Sequence, residues 1–159
     1  MKPLFMTTPR VGVIMKHKST ERYLCVFQEA SKLWGFPKGR LKPFESHKDG
    51  ACRELWEETR VHVSHNILNF NDMIHIKRGK HHHYYFLLDV EDKPNVTVDM
   101  YEILDHKWMT IDELSREKTS FFTEQAIKRL TINETVNITS SISTINISSN
   151  DNTLINEQK

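Results

Sequence analysis

Three glutamates, Glu54, Glu57 and Glu58, fall within five residues, with Arg53 immediately before them. At about 100° per residue on a helix, Glu58 lies roughly 40° to one side of Glu54 and Glu57 roughly 60° to the other. The three carboxylates therefore share a face, and Arg53 forms an i,i+4 pair with Glu57. Clustered like charges repel, so the arrangement makes sense with something positive among them. Oxygen-only ligands suit a hard cation, Mg²⁺ or Mn²⁺, better than zinc, and such an ion takes substrate phosphates beside a few carboxylates. On this spacing alone, a solvated acidic helix face is the plain alternative. Ala51, Cys52, Leu55, Trp56 and Thr59 fill the opposite arc, which predicts the core face.

A helix must carry these groups. Ser46-His47-Lys48-Asp49 supplies a capping-box-like start, and the helix is predicted to run to about Thr59. Residues 11–16 and 23–28 are short, apolar and partly β-branched, and predict two antiparallel strands. Residues 34–39 predict an extended segment entering a loop. Residues 67–77 and 81–90 predict strands around a Lys77-Arg78-Gly79-Lys80 turn, and residues 106–109 a short strand. Thr110-Ile111-Asp112-Glu113 is a second capping box. Phe122, Ala126 and Leu130 recur at i+4 and predict a last helix over 121–130. The pattern is a mixed sheet flanked by helices.

The 159 residues suit one domain, and a net charge of +1 excludes binding of polyanions by bulk charge alone. Two cysteines cannot make a disulfide framework, so Cys25 and Cys52 are expected as buried thiols. The N-terminus is interrupted by Pro3 and Pro9, carries no apolar targeting core, and no apolar run could span a bilayer. The expectation is a cytoplasmic protein with no membrane partner. Composition changes after residue 130: 22 of the last 29 residues are Asn, Ser, Thr or Ile. Residues 1–130 thus form the expected domain, and residues 131–159 a low-complexity tail, mostly disordered. Asn-x-Ser/Thr triplets at Asn95, Asn133, Asn137 and Asn146 are chance matches in a chain without a signal peptide.

Gly39, Glu45, Arg53-Glu54-Leu55, Glu57-Glu58 and Val61 together resemble the Nudix box, Gly-x5-Glu-x7-Arg-Glu-U-x-Glu-Glu-x-Gly-U with U aliphatic. Eight of its nine defining positions match; the exception is Arg60, where the box has Gly. That Gly takes positive φ after the helix at little cost, which Arg does less readily. The resemblance implies a Nudix α/β/α sandwich with a mixed sheet and the box as a loop-helix-loop. It implies a pyrophosphohydrolase in which water attacks phosphorus of a nucleoside diphosphate linked to another group. Carried over, Glu57 and Glu58 lead as ligands of Mg²⁺ or Mn²⁺. Glu54 is a third ligand or the water-activating base, and the Gly39 carbonyl completes the shell. Arg53 would hold Glu57, and Glu45 would support the loop. Glu102 is the candidate carboxylate from outside the box, as ligand or general base, with Asp99 in reserve.

The substrate is less legible. Trp34-Gly35-Phe36-Pro37-Lys38-Gly39 resembles the segment before the box in mRNA-decapping Nudix enzymes, so capped RNA is the first choice of phosphoanhydride substrate. Lys38 would meet the phosphate chain, Trp34, Phe44 or Tyr84 could stack on a base, although Trp34 suits the core equally well, and Lys77, Arg78 and Lys80 offer a basic surface. The basic, His-rich hairpin also suits a diphosphoinositol polyphosphate, and related segments occur in dinucleoside polyphosphate hydrolases. A nucleotide- or RNA-binding module without turnover is the alternative of another class. His81, His82 and His83 alternate faces on a strand and cannot chelate one ion together. Oligomeric state is not encoded in any of these features.

Overall fold

The computed structural model describes residues 7–150, the last five by backbone alone. Strands β1 (Arg10–His17), β2 (Arg22–Gln28), β3 (Trp34–Gly35) and β4 (Lys38–Arg40) precede helix α1 (His47–Thr59). Strands β5 (Met73–Arg78), β6 (His81–Val90) and β7 (Ile103–Met109) follow, and helices α2 (Ile111–Ser115) and α3 (Phe121–Asn150) close the order. The sheet is mixed: β1 runs parallel to β6 along its whole length and antiparallel to β2 and β4. β6 carries β5, and β2 carries β3 and β7, all antiparallel.

The period of two decides the layers. Val11, Val13, Met15 and Phe86 point to one face and pack with Ala51 and Leu55 of α1. Ile14 and Tyr85 point to the other and pack with Leu114, Ala126, Ile127 and Leu130 of α2 and α3. The result is the α/β/α sandwich expected from the sequence.

One irregularity positions the site. β1 and β2 pair only at their hairpin end, Lys16↔Tyr23 and His17↔Arg22, and then splay apart. Residues 34–40 fill the gap. β3 pairs β2, β4 pairs β1 through Val11↔Gly39, and Val13 N–H donates to the Pro37 carbonyl at 3.2 Å. Gly12 makes this possible, because a Cβ there would overlap the Pro37 carbonyl oxygen. β4 is thereby pressed beneath α1.

Three expectations need correction. Residues 67–72 are not strand: 3₁₀ turns span His65–Ile67 and Phe70–Asp72, because Ser64 and Asn69 side chains accept backbone N–H groups two residues on. Trp56 is 47% exposed rather than in the core. α3 does not end at Leu130; it continues through 131–150, where Thr131, Thr135, Thr139, Ser143 and Thr144 hydroxyls donate to the carbonyl four residues back. Glu134 also accepts from the Tyr23 hydroxyl at 3.0 Å and lies 3.5 Å from Lys16 Nζ. Residues 151–159 and the Asn146 side chain, both covered by the tail expectations, lie outside the described residues. No helix among the described residues is long and apolar enough to cross a membrane.

Candidate active site

α1 begins as its sequence dictates: the Ser46 side chain accepts the Asp49 N–H at 3.1 Å. It ends at Arg60 in the left-handed region, φ 59 and ψ 15, with Arg60 N–H donating to Trp56 O at 2.8 Å. Its buried residues are Gly50, Ala51, Glu54, Leu55, Glu58 and Thr59. On the helical wheel their centre is rolled by roughly 80° from the expected core face, toward the carboxylates. Trp56 is turned out to solvent, where the Arg60 guanidinium covers its ring at 4.4 Å. Glu54 and Glu58 are turned inward, 7% and 5% exposed.

The inward roll brings Glu54 and Glu58 against β4. A Cβ at Gly39 would overlap the Glu54 carboxyl group, so only glycine lets strand and carboxylate approach this closely. Glu58 Oε2 accepts the Lys38 N–H at 3.1 Å. Arg53 is the hub of the cluster. It donates to Glu45 Oε1 at 2.7 Å and Oε2 at 2.9 Å, to Glu54 Oε1 at 2.7 Å, to Glu57 Oε2 at 3.0 Å and to the Arg40 carbonyl at 2.9 Å. Glu45 also accepts the Lys42 N–H at 2.9 Å, which closes the loop before the helix.

The electrostatics follow from this packing. Burial pushes the Glu54 carboxyl up, opposed by the hydrogen bond and charge of Arg53. Burial also pushes Glu58 up, opposed by Lys38. The Lys38 side chain is in turn pulled down by burial, with Glu58 working against the shift. The hydrogen bond from Arg53 holds Glu45 below the ordinary carboxylate range, although burial acts upward. Two carboxylates held in a desolvated pocket with their charge only partly balanced are an environment that a divalent cation would stabilise.

A cleft of about 670 Å³ opens over these groups. Its lining includes Lys38, Gly39, Glu54, Glu57, Glu58 and Glu102, so the structure brings the box carboxylates and the distant Glu102 together. Glu102 is held there by its own backbone: its carbonyl accepts Glu29 N–H at 2.9 Å. Asp99 Oδ1 accepts the N–H groups of Tyr101, Glu102 and Ile103. Those bonds occupy Asp99, and although desolvation works upward, they keep it below its ordinary value. Asp99 therefore builds the turn that presents Glu102 rather than standing in for it.

Among the lining residues that sequence reasoning did not reach are Arg10, Arg40, Lys42 and Tyr101. The cations rim the acidic floor, with Lys42 Nζ 4.0 Å from Glu57 Oε1. Tyr101 is 84% exposed, and its only local signal was its place beside Glu102. Other expected residues lie elsewhere. Trp34 is in the core, with Phe27 at 5.3 Å and Lys107 over its ring at 4.9 Å, so it offers no free face for stacking. Lys77 and Lys80 line an adjoining cleft, and Arg78 points to the other side of the sheet, over the Phe121 ring at 4.6 Å. His82 pairs with His75 at 2.9 Å while His83 is buried against Phe122, on opposite faces as the strand requires.

Among the described residues, no group of three His, Cys, Asp or Glu is already closed into a metal cage. The geometry says why: Glu54 and Glu57 are engaged by Arg53, and Glu58 by the Lys38 N–H. The donor chemistry still fits a hard cation, since the groups that converge are carboxylate oxygens beside a glycine backbone.

Comparison with known proteins now bears on this geometry. A family model described as NUDIX domain matches residues 6–130. A Haemophilus influenzae dihydroneopterin triphosphate diphosphatase is 29% identical over 139 residues, covering 77% of this chain and 87% of that protein. The mRNA decapping complex subunit 2 of Schizosaccharomyces pombe is 32% identical over 116 residues, covering 69% of this chain. The chain spans only 16% of the length of that subunit. Among solved structures, a Caenorhabditis elegans Ap4A hydrolase has a TM-score of 0.67 at 17% identity, covering 79% of this chain and 98% of that one. An Escherichia coli dihydroneopterin triphosphate pyrophosphohydrolase has a TM-score of 0.63 at 19% identity, covering 79% and 95%. These structures share the fold. With the box residues assembled around one cleft and the family model spanning the whole sandwich, the chain belongs to the Nudix family of diphosphate hydrolases.

Proposed function

We propose that the chain hydrolyses a dinucleoside polyphosphate in a reaction that depends on Mg²⁺ or Mn²⁺. The observation that carries this reading is the cleft itself: Glu54, Glu57, Glu58 and Glu102 converge there, with Lys38 buried beside Glu58 and a cationic rim of Arg10, Arg40 and Lys42. Such a site neutralises and aligns a phosphate chain, which is most of what phosphoryl transfer needs. Support for a small nucleotide comes from the extent of likeness. The chain spans nearly all of an Ap4A hydrolase and most of a dihydroneopterin triphosphate diphosphatase, against 16% of the decapping subunit.

Glu57 and Glu58 would hold the cation, with Glu54 as third carboxylate and the Gly39 backbone beside it. When bound, the ion supplies charge neutralisation at the bridging oxygens and a more acidic water. Arg53 sets the rotamers of Glu54 and Glu57. Glu102 is the carboxylate placed to accept the proton of the attacking water. The cationic rim binds the outer phosphates and disfavours their departure before cleavage. Residues 1–130 are the catalytic unit in this reading, and removal of the segment beyond Glu134 and its contacts leaves turnover within a few-fold.

A substrate panel with Mg²⁺ and Mn²⁺ tests the reading: Ap4A, dihydroneopterin triphosphate, cap dinucleotide, capped RNA and a diphosphoinositol polyphosphate. Ap4A is expected to show the highest kcat/KM. Faster turnover of capped RNA or of the inositol compound would overturn the substrate, and no turnover of any would favour a binding module.

A further inference from the structure

A second cleft, of about 630 Å³, adjoins the catalytic one and shares Lys42 and Pro43 with it. It lies between the segment around Pro9, the loop after β4 and the β5–β6 hairpin. Its chemistry differs from that of its neighbour. One wall is apolar, made by Pro9, Leu41 and Pro43, and no carboxylate lines it among the described residues. The other wall presents the rings of His82 and Tyr84, backed by His75. Tyr84 stacks on His75 at 4.3 Å and 6°, while His82 lies beside His75 with their ring nitrogens 2.9 Å apart and its centroid 6.3 Å from that of Tyr84, nearly parallel to it. Strand geometry gathers these rings, because His75↔Tyr84 and Lys77↔His82 are cross-strand partners on one face. Lys77 and Lys80 also line the cleft, and the Thr7 hydroxyl donates to the Lys80 carbonyl, tying the apolar wall to the hairpin.

We propose that this second cleft is the slot for the distal nucleoside of a dinucleoside polyphosphate, its base lying against the His82 ring and opposite the proline wall. The inference rests on the functional reading above and deepens it. Lys42 belongs to both clefts and is placed to follow the phosphate chain from one to the other. Lys77 and Lys80 balance the charge of the outer phosphates. Stacking tolerates any base, since every base presents a π-face, so the slot selects for the presence of a second nucleoside more than for its identity. A compact inositol polyphosphate would use the lysines but leave the rings and prolines without a partner.

The test compares Ap4A with adenosine 5′-tetraphosphate, which keeps the phosphate chain but lacks the second nucleoside, on the full chain and on His82→Ala and Lys77→Ala. Lys77 is an exposed strand-end residue, so its variant keeps the test independent of any packing loss at His82. His82→Ala is expected to raise KM for Ap4A about five- to tenfold with kcat within twofold, and to leave KM for adenosine tetraphosphate within twofold. Lys77→Ala is expected to raise KM for Ap4A by about threefold. Equal shifts for both substrates in His82→Ala, or no shift for Ap4A in either variant, would overturn the slot. If the unaltered chain turns over no dinucleoside polyphosphate, the functional reading falls. The slot is then judged by calorimetric binding of Ap4A: an affinity loss of fivefold or more in His82→Ala supports it, and unchanged affinity or no binding overturns it.

Discussion

Arg60 is the box position at which this chain departs from its family, and the structure makes the consequence measurable. It adopts φ 59, where a side chain costs about 1 kcal/mol relative to glycine. Part of that cost is offset, since the guanidinium lies 4.4 Å over the exposed Trp56 ring, a contact worth about 0.5 kcal/mol at such a site. Arg60→Gly therefore removes both the strain and the contact, for a net gain of about 0.5 kcal/mol. Arg60→Ala keeps the strain and loses the contact, for a net loss of about 0.5 kcal/mol. The two variants should differ by about 1 kcal/mol, with Gly the more stable, in urea unfolding followed by tryptophan fluorescence with unchanged m. Turnover should stay within twofold in both, because Arg60 does not line the catalytic cleft. Equal stability of the two variants would refute the strain argument, and a large loss of turnover would refute the separation of helix exit from chemistry.

Other perturbations address the site and the core. Gly39→Ala forces a Cβ into the Glu54 carboxyl group, and is expected to cost about 1–3 kcal/mol in denaturant unfolding and at least tenfold in kcat. Arg53→Lys keeps the charge but loses the fork that joins Glu45, Glu54 and Glu57; a loss of about 2 kcal/mol and a kcat fall of tenfold or more are expected. Burial pushes His83 down to about 3, helped by the charges of Lys38 and Arg10. Between that value and the ordinary 6.5 the unfolded chain binds a proton that the folded chain refuses, so stability falls as pH drops below 6.5. The slope is at most about 1.4 kcal/mol per pH unit from this group, and unfolding of His83→Phe at pH 7 and pH 5 should show it removed.

The spacing of Gly39, Glu45, Arg53, Glu54, Glu57 and Glu58 made the helix, its carboxylate face and the family legible, because those constraints are local. The alternation of Val11, Val13 and Met15 against Ile14 made the two-sided sheet legible for the same reason. The roll of α1 was not. Ordinary hydrophobicity puts Trp56 inward and Glu58 outward, and only the wedge of β4 between splayed β1 and β2 reverses them. A partner strand far from the helix face decides that, and helical periodicity carries no trace of it. Arg10, at the start of β1, and Tyr101, in the turn before β7, converge on the cleft from distant parts of the chain, so no local spacing relates them. The continuation of α3 past Leu130 is a balance the composition understates. Its Ser and Thr residues are weak helix formers, yet their hydroxyls bond back to the preceding turn when the helix is already nucleated on the core. Trp34 stayed open between site and core, because an aromatic beside a catalytic segment reads the same from sequence in either role.

The central claim is that the carboxylate cluster of α1 drives metal-dependent cleavage of a phosphoanhydride. The direct measurement is Ap4A turnover by the unaltered chain and by Glu57→Gln, each with Mg²⁺ or Mn²⁺ and again after chelation, with circular dichroism to show that both are folded. Glu57 is partly exposed and makes one bond to Arg53, so its neutral isostere should fold as the parent does. The account predicts turnover that vanishes on chelation and falls at least a hundredfold in Glu57→Gln. Turnover that survives chelation, or a folded Glu57→Gln as active as the parent, would contradict it.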